Sequence, residues 1–281
     1  MTSLVQVEVP PGAGPGTVLQ VQAPSGRMLQ ATVPDNLGPG QRFMVQDPGP
    51  QLVGAPLQQA MGGPGELFNG ARSIFIKQKM EMVELCGIEA KQHYDISETQ
   101  AGDKAGNVFM NVSEESACLE RICCGPNRSL TLLLHTGSSK TGPVVMSMKK
   151  PFSCQGCCFM RPKFEVFAPN GEMIGRIDDP CKCCVMDQQV QKPNGELILT
   201  TKGSICQLGM CCPCCAGVYF NVFRGPGKVA QIKKMPMDCE ELFLKTNRFI
   251  VDFEGLSDSV ERKMLFAAAM LLDLEYFEQQ K

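Results

Sequence analysis

Asp258-Ser259-Val260-Glu261-Arg262-Lys263-Met264-Leu265-Phe266-Ala267-Ala268-Ala269-Met270-Leu271-Leu272-Asp273-Leu274-Glu275-Tyr276-Phe277-Glu278 is the stretch on which the fold turns. Met264, Leu265, Ala268, Leu271, Leu272 and Tyr276 recur at helical spacing, and Asp258 with Glu261 resembles an N-terminal capping pair. The run Met264 to Leu272 is apolar all round, which calls for burial on every side. Nine such residues rise only about 14 Å against a hydrocarbon thickness of about 30 Å, so a spanning helix would drag Asp273 and Glu275 into lipid. The expectation is a helix over Val260 to Phe277 that forms the pillar of a protein interior. Asp273 and Glu275 are expected where it emerges into solvent; if buried, they need polar partners.

Upstream, the pattern is that of strands. Short β-like segments recur at 73–82, 92–98, 107–112, 129–136, 143–149, 163–168, 172–178, 184–191, 196–202, 217–223, 228–234 and 248–253, the spacing of an all-β barrel or sandwich. Pro169-Asn170-Gly171, Pro193-Asn194-Gly195 and Gly225-Pro226-Gly227 mark turns between several of them. Residues 5 to 47 repeat with a spacing of 24: Val9-Pro10-Pro11-Gly12-Ala13-Gly14-Pro15-Gly16 before Leu19-Gln20-Val21-Gln22, then Val33-Pro34-Asp35-Asn36-Leu37-Gly38-Pro39-Gly40 before Phe43-Met44-Val45-Gln46. This reads as a small β-hairpin repeat at 1–47, or else a flexible Gly/Pro-rich arm, joined by a Gly/Pro/Gln-rich linker at 48–72 to a barrel at 73–281.

With 281 residues and 43% hydrophobic content the chain can bury a sizeable core, and a formal charge of −2 argues against nucleic acid as a partner. The opening MTSLVQVEVPPG lacks the basic and apolar regions of an export signal, so most of the sixteen cysteines are expected to be free, acylated or metal-bound.

The order Lys77-Gln78-Lys79-Met80-Glu81-Met82, Cys118 through Cys123-Cys124-Gly125-Pro126-Asn127-Arg128, the cluster Cys154 to Cys158, Cys206 to Cys215, and Leu271-Leu272-Asp273-Leu274-Glu275-Tyr276-Phe277-Glu278 resembles the phospholipid scramblase family over about Ser73 to Glu278. That resemblance implies a mainly β fold of the tubby-like type: a closed antiparallel barrel of about twelve strands around the C-terminal apolar α-helix. It also implies a palmitoylated loop at Cys154, Cys157 and Cys158, with Cys211, Cys212, Cys214 and Cys215 as secondary candidates. Lys149, Lys150, Arg161 and Lys163 flank that loop and suit anionic lipid headgroups. Members often carry an acidic calcium loop before the last helix. Here Lys245 and Asn247 occupy ligand places, which leaves Asn247, Asp252 and Glu254 as a degraded calcium segment with weak affinity expected. The alternating run Phe249, Val251, Phe253 reads more simply as the last barrel strand, which is the favoured reading. Soft zinc ligands exist in Cys154, Cys157, Cys181 and Cys183 or in Cys211 to Cys215, but adjacent cysteines rarely share one tetrahedron, so structural zinc is disfavoured. His93 and His135 stand in strand-like segments without a catalytic constellation.

The expected function is energy-independent, bidirectional movement of phospholipids by a protein seated on the cytoplasmic face of the plasma membrane through acylation, with self-association as a further partner class and no covalent chemistry. A lipid-anchored adaptor that binds phosphoinositides or proteins and moves no lipid is the competing class; measured flip-flop in vesicles separates the two.

Overall fold

The structure is a computed structural model and describes residues 3–8, 10, 17–22, 28–32, 40–47, 67–68, 70–79, 91–138, 142–153, 160–180, 182, 185–244 and 246–278. The chain divides into two compact units, Met1–Gln51 and Leu52–Lys281.

In the first unit β1 (Ser3–Glu8) pairs antiparallel with β4 (Arg42–Asp47), and β2 (Val18–Gln22) with β3 (Met28–Thr32). The repeat spacing relates β1 to β3 and β2 to β4, so the first strand of each copy pairs with the second strand of the other. The β-hairpin of this unit, β2 with β3, therefore straddles the boundary between the copies. Two interlocked copies satisfy each other's backbone donors where one copy could not.

The second unit is a closed antiparallel barrel of twelve strands: β5 (Ser73–Lys79), β6 (His93–Gln100), β7 (Lys104–Glu115), β8 (Leu130–Thr136), β9 (Val144–Lys150), β10 (Lys163–Phe167), β11 (Met173–Asp178), β12 (Gln188–Gln191), β13 (Leu197–Lys202), β14 (Val218–Arg224), β15 (Gly227–Lys234) and β16 (Arg248–Asp252). Each strand pairs with its successor, and β16 closes onto β5 in the register Val251↔Ile74. Period-2 alternation aims one face inward, as with Leu130, Leu132 and Leu134 on β8 and Val218, Phe220 and Val222 on β14, all buried. The turn at Pro169-Asn170-Gly171 forms as expected: Gly171 takes φ 81°, and Asn170 Oδ1 accepts from the Glu172 amide at 3.0 Å.

The helix fills the barrel. α4 (Ser259–Leu272) starts at Asp258, whose Oδ1 accepts from the Val260 amide at 2.8 Å, and continues as a π-helical turn over Asp273–Phe277. Every residue from Met264 to Leu272 is buried. Glu261, expected to share in the cap, instead pairs with Arg224 on β14. Part of the expected linker is packed as well. Leu67 and Phe68 are buried, the Phe68 ring lies against Phe253 and Phe266, and Arg262 Nη1 donates to the carbonyls of Phe68 and Ala71. This segment plugs the barrel beneath the start of α4. Gly175 on β11 faces α4 so closely that an added Cβ would meet the Gln191 carbonyl oxygen at 2.7 Å and Met264 Sδ at 2.8 Å.

Two substitutions test this packing by urea unfolding. Leu271→Asp puts a charge into the fully buried helix face and should cost on the order of 4 kcal/mol or more, or prevent folding outright. Gly175→Ala should cost about 1–3 kcal/mol, because the backbone carbonyl cannot move aside as the methionine can. A neutral result for either would place the helix outside the barrel.

Candidate functional site: the long-loop end of the barrel

In an up-and-down barrel the connections alternate between two ends. At one end they are short, 101–103, 137–143, 168–172, 192–196 and 225–226. At the other they are long, and among the described residues three carry helices: α1 (Cys118–Cys124), α2 (Leu208–Cys211) and α3 (Cys239–Leu244). By sequence position all sixteen cysteines fall in connections that join strands at this second end. So do most of the exposed large apolar side chains among the described residues. Leu119 and Ile122 lie on α1, Phe152 and Met160 flank the β9–β10 connection, Ile205 and Leu208 lie on and before α2, and Leu242 and Phe243 on α3. Phe243 is 79% exposed and Leu119 76%. α4 runs from the short-turn end to this one, so its last turn arrives beneath the same surface.

That last turn carries Asp273, Glu275 and Glu278, three carboxyl groups at the negative end of the helix dipole. All three are buried, which for Asp273 and Glu275 corrects the expected emergence into solvent, and each is met by polar partners. The Tyr94 hydroxyl donates to Asp273 Oδ2 at 2.6 Å and Asn247 Nδ2 to Oδ1 at 2.8 Å. Arg161 donates to Glu275 at 3.3 Å and also pairs with Asp179. Glu278 accepts from Gln92 Nε2 at 3.0 Å and pairs with Arg128 at 2.9 Å.

Arg128 is the centre of this lock and is 1% exposed. Its Nε and Nη2 each reach a Glu114 oxygen at 2.9 Å, a bidentate pair, while Nη1 donates to the Gly125 carbonyl at 2.9 Å. Gly125-Pro126-Asn127 forms a 3₁₀ turn that presents its carbonyls inward, and Lys150 Nζ donates to Pro126 O at 2.9 Å and Arg128 O at 3.0 Å. Burial opposes ionisation of Glu114, but the hydrogen bonds and charge of Arg128 outweigh it and hold the carboxyl below its ordinary value. Burial pushes Lys150 down to about 8, only partly offset by Glu278. Burial pushes Glu275 up to about 8 against the opposing charge of Arg161.

These contacts reassign several expected site residues. Lys150 and Arg161 hold the helix end and do not present free charges to headgroups; Lys149 is exposed, with its ammonium 4.6 Å from the Phe167 ring centroid, and Lys163 is half-buried. Asn247 is buried at the long-loop end of β16, whereas Asp252 and Glu254 lie at its other end, and Glu254 pairs with Arg72 at 3.0 Å. Five strand residues, roughly 16 Å, separate them, so the three cannot ligate one calcium ion. Phe249, Val251 and Phe253 face the core, as a final strand requires. His135 bridges the Ser113 hydroxyl and the Gly142 carbonyl, both at 2.8 Å, a structural role. Cys154, Cys157, Cys158, Cys181, Cys183 and Lys245 lie outside the described residues. Cys211 and Cys214 are exposed free thiols, while Cys212 and Cys215 are joined in a disulfide, so those two are not open to acylation as they stand.

The polar lock gathers Gln78, whose Oε1 accepts from the Asn247 amide at 3.0 Å, with Arg128, Asp273 and Glu278 from three separated motifs at one end of one barrel. The family model described as Scramblase matches residues 56–279. The chain belongs to the scramblase family. It is 27% identical over 234 residues to phospholipid scramblase 2 of Bos taurus, covering 81% of this chain and 76% of that one. It is 26% identical over 224 residues to human phospholipid scramblase 1, covering 76% and 66%, and 24% identical over 212 residues to human phospholipid scramblase family member 5, covering 73% of each. No solved structure matches the chain.

Two measurements test the lock. Arg128→Met should cost about 3–5 kcal/mol by leaving Glu114 buried and unpaired, and adding Glu114→Gln should restore part of that loss. Between the ordinary carboxyl value and about 8, folded Glu275 keeps a proton that the unfolded chain has lost, so its contribution to stability falls as pH rises through that window. Glu275→Gln should therefore gain on the wild type from about pH 5 to about pH 8, by roughly 1–3 kcal/mol in thermal or urea melts. An unchanged difference across that range would mean that Glu275 is ionised throughout.

Proposed function

We propose that this chain docks on a phospholipid membrane through the long-loop end of its barrel and facilitates energy-independent, bidirectional movement of phospholipids between leaflets, without covalent chemistry. The observation that carries the reading is the gathering, among the described residues, of most exposed apolar side chains and of the cysteines at one end. A soluble barrel has no reason to segregate such residues, whereas a lipid interface uses both: apolar side chains enter the headgroup boundary, and thioester-linked acyl chains hold the protein there. The relatives named as phospholipid scramblases support lipid as the substrate.

In this reading Cys154, Cys157 and Cys158 are the acylated loop, Lys149 and Lys163 are the headgroup cations, and the protein sits on the cytoplasmic face of the plasma membrane. No helix among the described residues is long and apolar enough to cross a membrane, in keeping with peripheral attachment. α4 and its side chains fill the barrel interior, so the proposed headgroup path runs along the docked surface and not through the lumen. Asn247, Asp252 and Glu254 lie too far apart to share one calcium ion, and in this reading the activity is independent of calcium at cytosolic concentrations.

Reconstituting the full chain in vesicles with fluorescent phospholipid tests the activity. Accelerated loss of fluorescence to a membrane-impermeant quencher supports transport, whereas binding without acceleration leaves only an adaptor. Leu242→Ser with Phe243→Ser should weaken vesicle binding roughly tenfold or more while leaving the melting temperature unchanged, since both side chains are exposed. Calcium titration calorimetry should detect no site tighter than about millimolar. A micromolar site would overturn that part of the reading.

A further inference from the structure

The sulfurs of Cys212, Cys214 and Cys215 all lie within 4.8 Å of one another, on the turn between α2 and β14. The turn is built, not loose. The Cys212 amide donates to Leu208 O at 2.8 Å, the Cys215 amide to Cys212 O at 2.9 Å, and Pro213 O accepts from the Met237 amide at 2.8 Å. The Gln207 side chain clamps the base of the loop like an extra strand residue: its Oε1 accepts from the Tyr219 amide at 2.8 Å and its Nε2 donates to Tyr219 O at 2.9 Å. α2 presses so closely on the entry to β14 that a Cβ on Gly209 would meet the carbonyl oxygens of Ala216 and Gly217 at 2.6 and 2.7 Å.

Cys212 and Cys214 Sγ are 3.7 Å apart. The edge of a zinc–thiolate tetrahedron with Zn–S of about 2.3 Å is about 3.8 Å, so this pair already has ligand spacing. Cys212-x-x-Cys215 is the spacing of a zinc ligand pair, with the two sulfurs now bonded to each other.

We propose that, once reduced, Cys212, Cys214 and Cys215 form a three-thiolate Zn²⁺ site whose fourth position is open to water, and that the Cys212–Cys215 bond is its closed, oxidised form. In the opening step a dithiol reductant supplies two electrons and two protons. The Cys212–Cys215 S–S bond breaks, two thiols form, and the reductant leaves as its own disulfide. Zn²⁺ then binds three sulfurs and displaces three thiol protons. The adjacency of Cys214 and Cys215, which argues against zinc from sequence alone, is accommodated because Cys212 and Cys214 supply one edge and Cys215 turns back over them. Sulfurs bound to the ion cannot carry a thioester, so the metal excludes acylation at this turn. The site does not depend on the lipid reading.

The test uses the full-length protein reduced with a phosphine, with Zn²⁺ as the probe and alkylation rates followed at each cysteine by peptide mapping. Zn²⁺ should slow alkylation of Cys212, Cys214 and Cys215 together by roughly tenfold or more, and the wild type should hold one more zinc equivalent than the Cys212→Ser/Cys214→Ser/Cys215→Ser variant. Cys214→Ser alone keeps the Cys212–Cys215 pair and should by itself abolish the extra equivalent with unchanged circular dichroism, which separates ligand loss from misfolding. Equal stoichiometry in wild type and Cys214→Ser, or alkylation rates at the three cysteines indifferent to Zn²⁺, would leave a plain disulfide and overturn the site.

Discussion

Everything at the long-loop end of this barrel rests on a buried guanidinium. An apolar helix inside an apolar wall is held strongly but without register, since a slide of one turn exchanges one apolar neighbour for another. Arg128 removes that freedom: it is neutralised by Glu114 on β7 and reaches Glu278 just beyond the π-helical turn, so the helix end is fixed to one place on the wall. Ion pairs of this kind add little net stability over well-packed apolar residues, but leaving one partner alone is costly, and they can select one arrangement among several. Here that role is supported by Asp273 and Glu275, which find donors on different wall elements, Tyr94 and Asn247 for the first and Arg161 for the second.

The two ends of the barrel are therefore closed by different physics. At the short-turn end the plug is apolar: the Phe68 ring packs on Phe253 and Phe266, and Arg262 ties down the chain that carries it. At the long-loop end the plug is ionic, and burial and charge oppose one another in it, as the lowered Lys150 and raised Glu275 values record. The barrel presents the loops proposed to face lipid above the ionic plug. A change of dielectric at that surface acts on charged groups far more than on packed phenyl rings, so this end is the one through which a membrane can influence the helix.

The twelve strands and the central helix were legible in the sequence because period-2 and helical patterns survive in residues that face one core. Asp258 was legible as a cap for the same local reason. What stayed hidden depends on contacts between distant residues. Glu114 alternates with its neighbours like any strand residue, and nothing nearby says that Arg128 will meet it; Arg128 stood in a quoted motif without a role. Asp273 and Glu275 were conspicuous as charges after an apolar run, but their partners come from strands and loops about 30 to 180 residues away, so exposure was the simpler expectation. The interlocking of the N-terminal copies was likewise invisible, because a repeat shows its period and not which strands pair.

Asn247 shows how one residue can mislead when read by analogy. In a calcium loop a neutral amide at a ligand position is a loss of charge. In this barrel its side chain is buried against Asp273, with Nδ2 donating to Oδ1, and its backbone amide is bound by Gln78. A carboxylate at the same place would set two negative charges at hydrogen-bond distance in a buried site, on a helix end already negative by its dipole. Such a pair survives only if a cation or a proton joins it. The amide makes that cation unnecessary, so the residue that weakens calcium ligation is also the one that lets the helix terminus close on the wall without it.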